Sequence, residues 1–386
     1  MLDCIAADTA TEETMAEDVA SLRCLLLGSV MVFSVVFLSA AGIPVKNRFS
    51  HPDPGVPMAS DAGPMPMNSE IPSLAGATGW LNSPPLTPSE LQGKVVLIDF
   101  WTYTCVNWRR TVPYLKAWAK RYGKSGMVLV GVHTPEFPFE HDVANVREQS
   151  KEIGVDYPSA IDSDFAVWRA FRNQYWPALY VFDAQGRLRH HQFGEGGYAE
   201  IEQVIQKLLS EAGRQDIDPR PTPVSPAGFE LPADWSKVGS SETYLGGAQT
   251  DGFASPGGIH AGQRRLYSGP ARLSLNDWAL SGTWTVGDDR VRLDEAGGRI
   301  AYVFHARDVN LIMGPAARGG AVRFRVLLDG KPPGPSHGLD VDEAGNGTAN
   351  EQRMYQLIRQ QGSIVDRRFE IEFLDAGAEA FDFTFG

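Results

Sequence analysis

Val95-Val96-Leu97-Ile98-Asp99-Phe100-Trp101-Thr102-Tyr103-Thr104-Cys105-Val106-Asn107-Trp108-Arg109-Arg110-Thr111-Val112-Pro113 is the stretch that decides the fold. The apolar run from Val95 to Phe100 does not alternate, which predicts a strand covered on both faces and ending at about Trp101. Val112, Leu115, Ala119 and Tyr122 recur at helical spacing, so a helix begins at about Cys105. The thiol is thereby placed at a helix N-terminus, where the macrodipole and the free backbone N–H groups favour the nucleophilic thiolate. Arg109 and Arg110, about one turn on, add favourable potential. Asp99 falls in the strand beneath the thiol, where a buried carboxyl can exchange protons with it, and Pro113 kinks the helix.

Working outward, Met127 to Val132 forms a second continuous apolar run. Leu179 to Phe182 and Leu188 to Phe193 read as a hairpin turning at Asp183-Ala184-Gln185-Gly186, and Ile201, Val204, Ile205, Leu208 and Leu209 stripe a later helix. Strands alternating with helices predict an α/β layer: a central mixed sheet with helices on both faces. Trp176-Pro177 stands just before the Leu179 strand, a place where a cis proline presents backbone to a bound peptide. Trp101, Trp108 and Trp176 group around Cys105 by motif and are expected to form an apolar rim for that peptide.

Pro219, Pro221, Pro223, Pro226 and Pro232 interrupt any regular element and mark a linker. Beyond it the period becomes two: Val322, Phe324, Val326 and Leu328 alternate with charged residues, as do Phe369, Ile371 and Phe373, and Phe381, Phe383 and Phe385 repeat the pattern. This predicts an all-β sandwich, jelly-roll-like, with Trp278 and Trp284 in its core. The division along the chain is an N-terminal segment at 1–43, a Pro/Ser/Gly/Met-rich tether at 44–72, an α/β domain at 73–213, the linker at 214–232 and the sandwich at 233–386.

Leu25 to Gly42 is uncharged and at the lower limit for a membrane-spanning helix, and Ser39-Ala40-Ala41 has the small residues of a signal-peptidase site. The expectation is export, to the periplasm or another extracytoplasmic space, with 25–43 as either a cleaved signal or a single anchor. Six acidic residues precede this stretch, which suits initiation at Met15. A net charge of −12 with no basic run excludes nucleic acid as a partner. Three cysteines, Cys4, Cys24 and Cys105, build neither a disulfide framework nor a cysteine zinc site. Pro135 and Pro138 break His133-Thr134-Pro135-Glu136-Phe137-Pro138-Phe139-Glu140-His141 as a metal-binding helix face, so neither metal nor cofactor is called for.

Asp99, Phe100-Trp101, Cys105, Pro113 and Pro177, in this order and spacing, resemble the thioredoxin superfamily, in particular the TlpA/DipZ type of exported thioredoxin-like protein with its C-terminal sandwich. Trp80-Leu81-Asn82-Ser83-Pro84-Pro85, Gly131-Val132-His133-Thr134-Pro135-Glu136 and Phe193-Gly194-Glu195-Gly196 extend the similarity, which covers most of residues 80–386. The resemblance implies a thioredoxin-like fold and thiol-disulfide exchange on protein thiols or disulfides. It makes Cys105 and Asp99 the catalytic pair, and Trp101, Trp108, Trp176 and Pro177 the substrate contacts.

Two departures qualify it. The family's C-x-x-C reads Cys105-Val106-Asn107-Trp108 here, so a mixed disulfide on Cys105 must be released by an outside thiol. The multi-span electron-delivery domain that DipZ-type proteins carry in front is absent, which calls for a separate membrane or low-molecular-weight thiol reductant. The expected function is therefore monothiol exchange. Two alternatives stay open: a redox-inactive thioredoxin-fold module that binds an envelope polypeptide or glycan, the glycan through the sandwich, and a one-cysteine peroxidase suggested by Thr102-x-x-Cys105.

Overall fold

In the computed structural model, residues 63–386 are described. The apolar stretch at 25–43, Cys4, Cys24 and residues 44–62 of the tether lie outside them. Among the described residues, no helix is long and apolar enough to cross a membrane.

The first half runs β1 (Gly79–Leu81), α1 (Pro88–Leu91), β2 (Val95–Trp101), α2 (Val106–Tyr122), β3 (Met127–His133), α3 (Val143–Ile153), β4 (Ser159–Ile161), α4 (Ala166–Ala170), β5 (Ala178–Phe182), β6 (Leu188–Phe193) and α5 (Tyr198–Glu211). Its six strands lie in the order β1-β4-β3-β2-β5-β6. β2 runs parallel to β3 in a register that sets Trp101 beside His133, and antiparallel to β5 with Asp99 beside Leu179. Every residue of β2 is buried, as its unbroken apolar run requires. This is the mixed-sheet thioredoxin-like layer, and it carries Cys105 from the end of its central strand into α2.

Local chemistry fixes the helix ends. Asp142 caps α3, its carboxylate accepting from Ala144 N at 2.8 Å, and Gly154 closes that helix at φ 75°, where only a residue without a Cβ is unstrained. Asp162 accepts from the N–H groups of Val167 and Trp168 at 2.9 and 2.7 Å and starts α4. Pro113 lies inside α2.

The second half is entirely antiparallel in its named strands: β7 (Thr243–Tyr244), β8 (Arg264–Tyr267), β9 (Trp278–Val286), β10 (Val291–Leu293), β11 (Arg299–Phe304), β12 (Asp308–Pro315), β13 (Val322–Leu328), β14 (Asn346–Ala349), β15 (Arg353–Arg359), β16 (Arg367–Phe373) and β17 (Ala378–Phe385). They form one large sheet that curls on itself through β9, which pairs with β8 and β10 on one side and β11 on the other. Its concave face holds a single apolar core around Trp278, Trp284, Tyr302 and Phe383. The alternation read in β13 is the pleat of this sheet: Val322, Phe324, Val326 and Leu328 point in, Arg323 and Arg325 out.

The described residues belong to one compact unit. The proline-rich segment between the halves is strapped to the first of them. A short turn at Gly228–Glu230 packs on α2, with the Arg109 guanidinium 5.1 Å from the Phe229 ring centroid, and Arg121 pairs with Asp218 at 3.4 Å. β17 and its neighbours reach the same core as Cys105: Ile312, Met354 and Phe381 belong to it, and Phe381 sits edge-on to Phe137 and Phe139 at 5.6 and 4.9 Å.

Candidate active site

Cys105 is the N-cap of α2, its carbonyl accepting from Arg109 N at 3.0 Å. Its Sγ lies 3.7 Å from the carbonyl oxygen of Trp176, just before β5, and the Trp176–Pro177 peptide is cis. The thiol is not the thiolate that its helix position predicts. Burial pushes its pKa well above the ordinary range, the Glu136 carboxylate pushes it further, and the N–H groups of Trp108 and Asn107 pull the other way without prevailing. The magnitudes explain the outcome. A helix end contributes at most about 2 kcal/mol, whereas full burial moves a pKa by up to about 3–5 units, roughly 4–7 kcal/mol. The two arginines are engaged elsewhere: Arg110 pairs with Glu195 at 3.1 Å and Arg109 covers Phe229.

Asp99 lies fully buried in β2. Its Oδ2 accepts from the indole Nε1 of Trp108 at 2.9 Å and from the Tyr157 hydroxyl at 3.4 Å, while Oδ1 has no partner. Burial raises its pKa to about 7, against the pull of those two donors. The tryptophan that replaces a second cysteine thus holds the buried acid. Trp101 stacks on Trp108 with centroids 4.5 Å apart and meets His133 edge-on at 4.8 Å; Tyr103 stacks on His133 at 6.0 Å. Burial, with the charge of His141 behind it, lowers His133 to about 3, so its ring is neutral, and neither nitrogen has a partner.

The apolar rim read from the sequence does not face solvent. Trp101, Trp108 and Trp176 are all 0% exposed, because each indole is taken up by a neighbour. Trp108 binds Asp99, Trp176 donates from Nε1 to the Thr134 carbonyl at 3.1 Å and packs on Trp168, and Trp101 fills the space between Trp108 and His133. Pro177 is buried as well. What Trp176 offers beside the thiol is its carbonyl group.

Sequence reasoning passed over a set of carboxyls at this corner. Glu140 is fully buried and organises the loop after β3, accepting from Glu136 N at 2.7 Å, Phe137 N at 3.0 Å and the Thr104 hydroxyl at 2.7 Å. Glu136 accepts a hydrogen bond from the Tyr244 hydroxyl, and Tyr244 pairs with Asp382 of β17. Burial first, then the charge of Glu242, pushes the Glu136 and Asp382 carboxyls well above the usual range. Acids from both halves therefore meet at this corner, and burial disfavours their charged forms. The available signal was an acid framed by apolar residues, as in Pro135-Glu136-Phe137 and Phe381-Asp382-Phe383. Among the described residues, no three His, Cys, Asp or Glu side chains are grouped to hold a metal ion.

Comparison with known proteins identifies what the chain is similar to. Residues 72–191 match the AhpC/TSA family and residues 240–386 match the thioredoxin like C-terminal domain. Protein DipZ of Mycobacterium tuberculosis is 36% identical over 264 residues, which are 68% of this chain and 36% of DipZ. The chain thus spans about a third of that relative's length. Thiol-disulfide oxidoreductase YkuV of Bacillus subtilis is 34% identical over 148 residues, 38% of this chain and 99% of YkuV. A solution structure of a thioredoxin-like protein in its oxidised form, 34% identical, covers 38% of this chain and 99% of its own, with a TM-score of 0.36. A near-complete match to YkuV, joined to a thioredoxin-like C-terminal domain, means that the chain belongs to the thioredoxin-like thiol-disulfide oxidoreductase family.

Proposed function

We propose that the protein is an extracytoplasmic thiol-disulfide oxidoreductase that works through Cys105 alone on oxidised or mixed-disulfide proteins. The observation that carries this reading is the placement of the Cys105 Sγ at the start of α2 against the Trp176 carbonyl, with no second thiol at position 108. In the first step the Cys105 thiolate attacks one sulfur of a substrate disulfide. A Cys105–substrate disulfide forms and the other substrate sulfur leaves as a thiolate, which takes up a proton. In the second step an external thiol attacks the substrate sulfur, Cys105 departs as thiolate, and the reductant sulfur is left bonded to the substrate. The electrons come from that reductant, a small thiol or a membrane partner. Asp99, with a pKa near neutrality, is the buried acid of this scheme, held in place by Trp108. The working division of the chain is a catalytic part at 73–213 and a β-sheet part at 233–386. The apolar sequence at 25–43 supports a site of action outside the cytoplasm.

Burial of Cys105, only 5% exposed, favours one rival: a redox-inactive thioredoxin-fold module that binds an envelope polypeptide or glycan. One experiment separates them. The full chain is incubated with oxidised insulin chains over a pH series, quenched in acid and read by intact mass and peptide mapping. The oxidoreductase reading expects a mixed disulfide on Cys105 that forms faster at alkaline pH, disappears on adding a reducing thiol and is absent in Cys105→Ser. It also expects Glu136→Gln to move the rise to lower pH, because it removes a charge that opposes the thiolate. An absence of adduct at every pH where iodoacetamide alkylates Cys105 selects the binding module.

A further inference from the structure

A cleft of about 470 Å³ lies between α3 and the β-sheet half, within the range that holds a ligand group. One wall is the face of α3 that carries Asn145, Glu148 and Gln149 at helical spacing; the other is formed by the chain after β12 and the residues that lead into β15, including Glu351. Tyr103 and Phe139 line its inner end.

Tyr103 is the observation that points to an occupant. It is 2% exposed, lines the cleft, and its hydroxyl has no hydrogen-bond partner. A buried hydroxyl without a partner is uncommon, because water would otherwise satisfy it. Burial, together with the charges of Glu140, Asp142 and Glu351, raises its pKa, so it stays a neutral phenol that can accept from an N–H donor.

The charge of the lining is one-sided. Asp142 pairs with Arg318 at 3.0 Å, but among the described residues neither Glu148 nor Glu351 has a cation at ion-pair distance. Glu351 accepts only from the Gln149 amide, at 2.6 Å. Of the charged groups that act on Glu351, Glu148 and Glu152 repel a second negative charge. Arg353 opposes them, although it is itself paired with Asp340 at 2.8 Å. Arg318 and several amides also line the cleft, but its unneutralised charge is negative, from Glu148 and Glu351, with the Tyr103 oxygen at the inner end, and it repels an anion such as glutathione.

We propose that this cleft is the subsite for a cationic side chain, a lysine ammonium or arginine guanidinium, on the polypeptide that the protein receives. The substrate-class assignment rests on the oxidoreductase reading above; the binding itself does not. Tyr103 is two residues before Cys105, so the backbone positions of these two residues are no more than about 7 Å apart.

The test is a titration of the full chain with a disulfide-free heptapeptide bearing one central lysine, its ends acetylated and amidated, and with the same peptide carrying norleucine instead. The lysine peptide is expected to bind at least tenfold more tightly, with the margin shrinking as salt rises. Glu148→Gln with Glu351→Gln removes the margin, and Tyr103→Phe reduces it several-fold. The control pair Glu200→Gln with Glu343→Gln, which removes the same two negative charges from the protein, leaves it intact. Equal binding of the two peptides by the wild type overturns the proposal, as does a margin that the control pair removes equally. Thermal melts confirm that each variant folds. Titrating Cys105→Ser in parallel keeps the two questions apart, since that variant loses any thiol chemistry while retaining the lysine preference.

Discussion

The two cores of the molecule use the same large aromatic residues differently. In the β-sheet half every buried polar aromatic tip has a partner: Trp278 Nε1 donates to the Asp251 carbonyl at 3.0 Å, Trp284 Nε1 to Ser281 at 2.9 Å, and Tyr302 shares a hydrogen bond with Thr243 at 2.8 Å. Around Cys105, Trp101 Nε1, the Tyr103 hydroxyl, both His133 nitrogens and Asp99 Oδ1 are buried without one. An unsatisfied buried group costs about 1–3 kcal/mol, and native cores carry few of them. The β-sheet half also leaves buried atoms unpaired, on Asn310, Gln356, Gln360 and Asp382 among others, but none of them is an aromatic tip, so the contrast between the halves lies in how the aromatic rings are used.

The largest effect that tests this contrast belongs to the satisfied core. Trp278→Ala is expected to lose about 3–5 kcal/mol by chemical denaturation, through its cavity and its lost hydrogen bond. A loss under 1 kcal/mol would mean that the second core is loose and the contrast unreal.

The next measures the strain at the site directly. Asp99 titrates at 3.8 when free and at about 7 in the fold, so the folded state holds the proton more tightly than the unfolded chain. The stability that Asp99 contributes is then fully present below pH 3.8, is lost as pH rises toward 7 and changes no further above it. The fall is on the order of 4 kcal/mol. The difference in urea midpoint between the wild type and Asp99→Asn should change across that range by this amount, and a difference that stays constant with pH would mean that Asp99 is not held protonated.

A paired removal of hydroxyls sharpens the comparison. Tyr302→Phe should cost about 1 kcal/mol because it breaks a hydrogen bond, whereas Tyr103→Phe should be neutral or stabilising because it removes an unpaired group. Equal losses would show that Tyr103 has a partner after all. The smallest effect is expected for Arg318→Ala, an exposed pair with Asp142, at under about 1 kcal/mol in thermal melts.

Much of the architecture was legible because periodicity is a local signal. The unbroken run in β2, the stripe of α5 and the alternation in β13 each report which faces are covered, and each element formed where its pattern lies. The thiol's position at the N-cap of α2 was equally readable. Its protonation state was not, because helix ends are local and desolvation is tertiary: nothing near Cys105 in sequence reveals that Phe381, Ile312 and Met354 share its core. The same limit applies to Trp101, Trp108 and Trp176, whose motif gave their neighbourhood but not their burial. The carboxyl of Glu136 gains its meaning only when Tyr244 arrives from another element 108 residues away.

The seam between the halves also sets an order in time. β17 is synthesised after every other strand described here, yet it brings Phe381 and Asp382 to the thiol corner, and the carbonyl of Phe385 accepts from Arg110 across 275 residues of sequence. The strands and helices of the thioredoxin-like layer, by contrast, have all emerged once α5 has, although Ile312, Met354 and Phe381 join its core only later. During synthesis Cys105 therefore passes through an interval in which its own strands and helices have emerged and the last members of its core have not. The core around the thiol is complete only when β17 has docked.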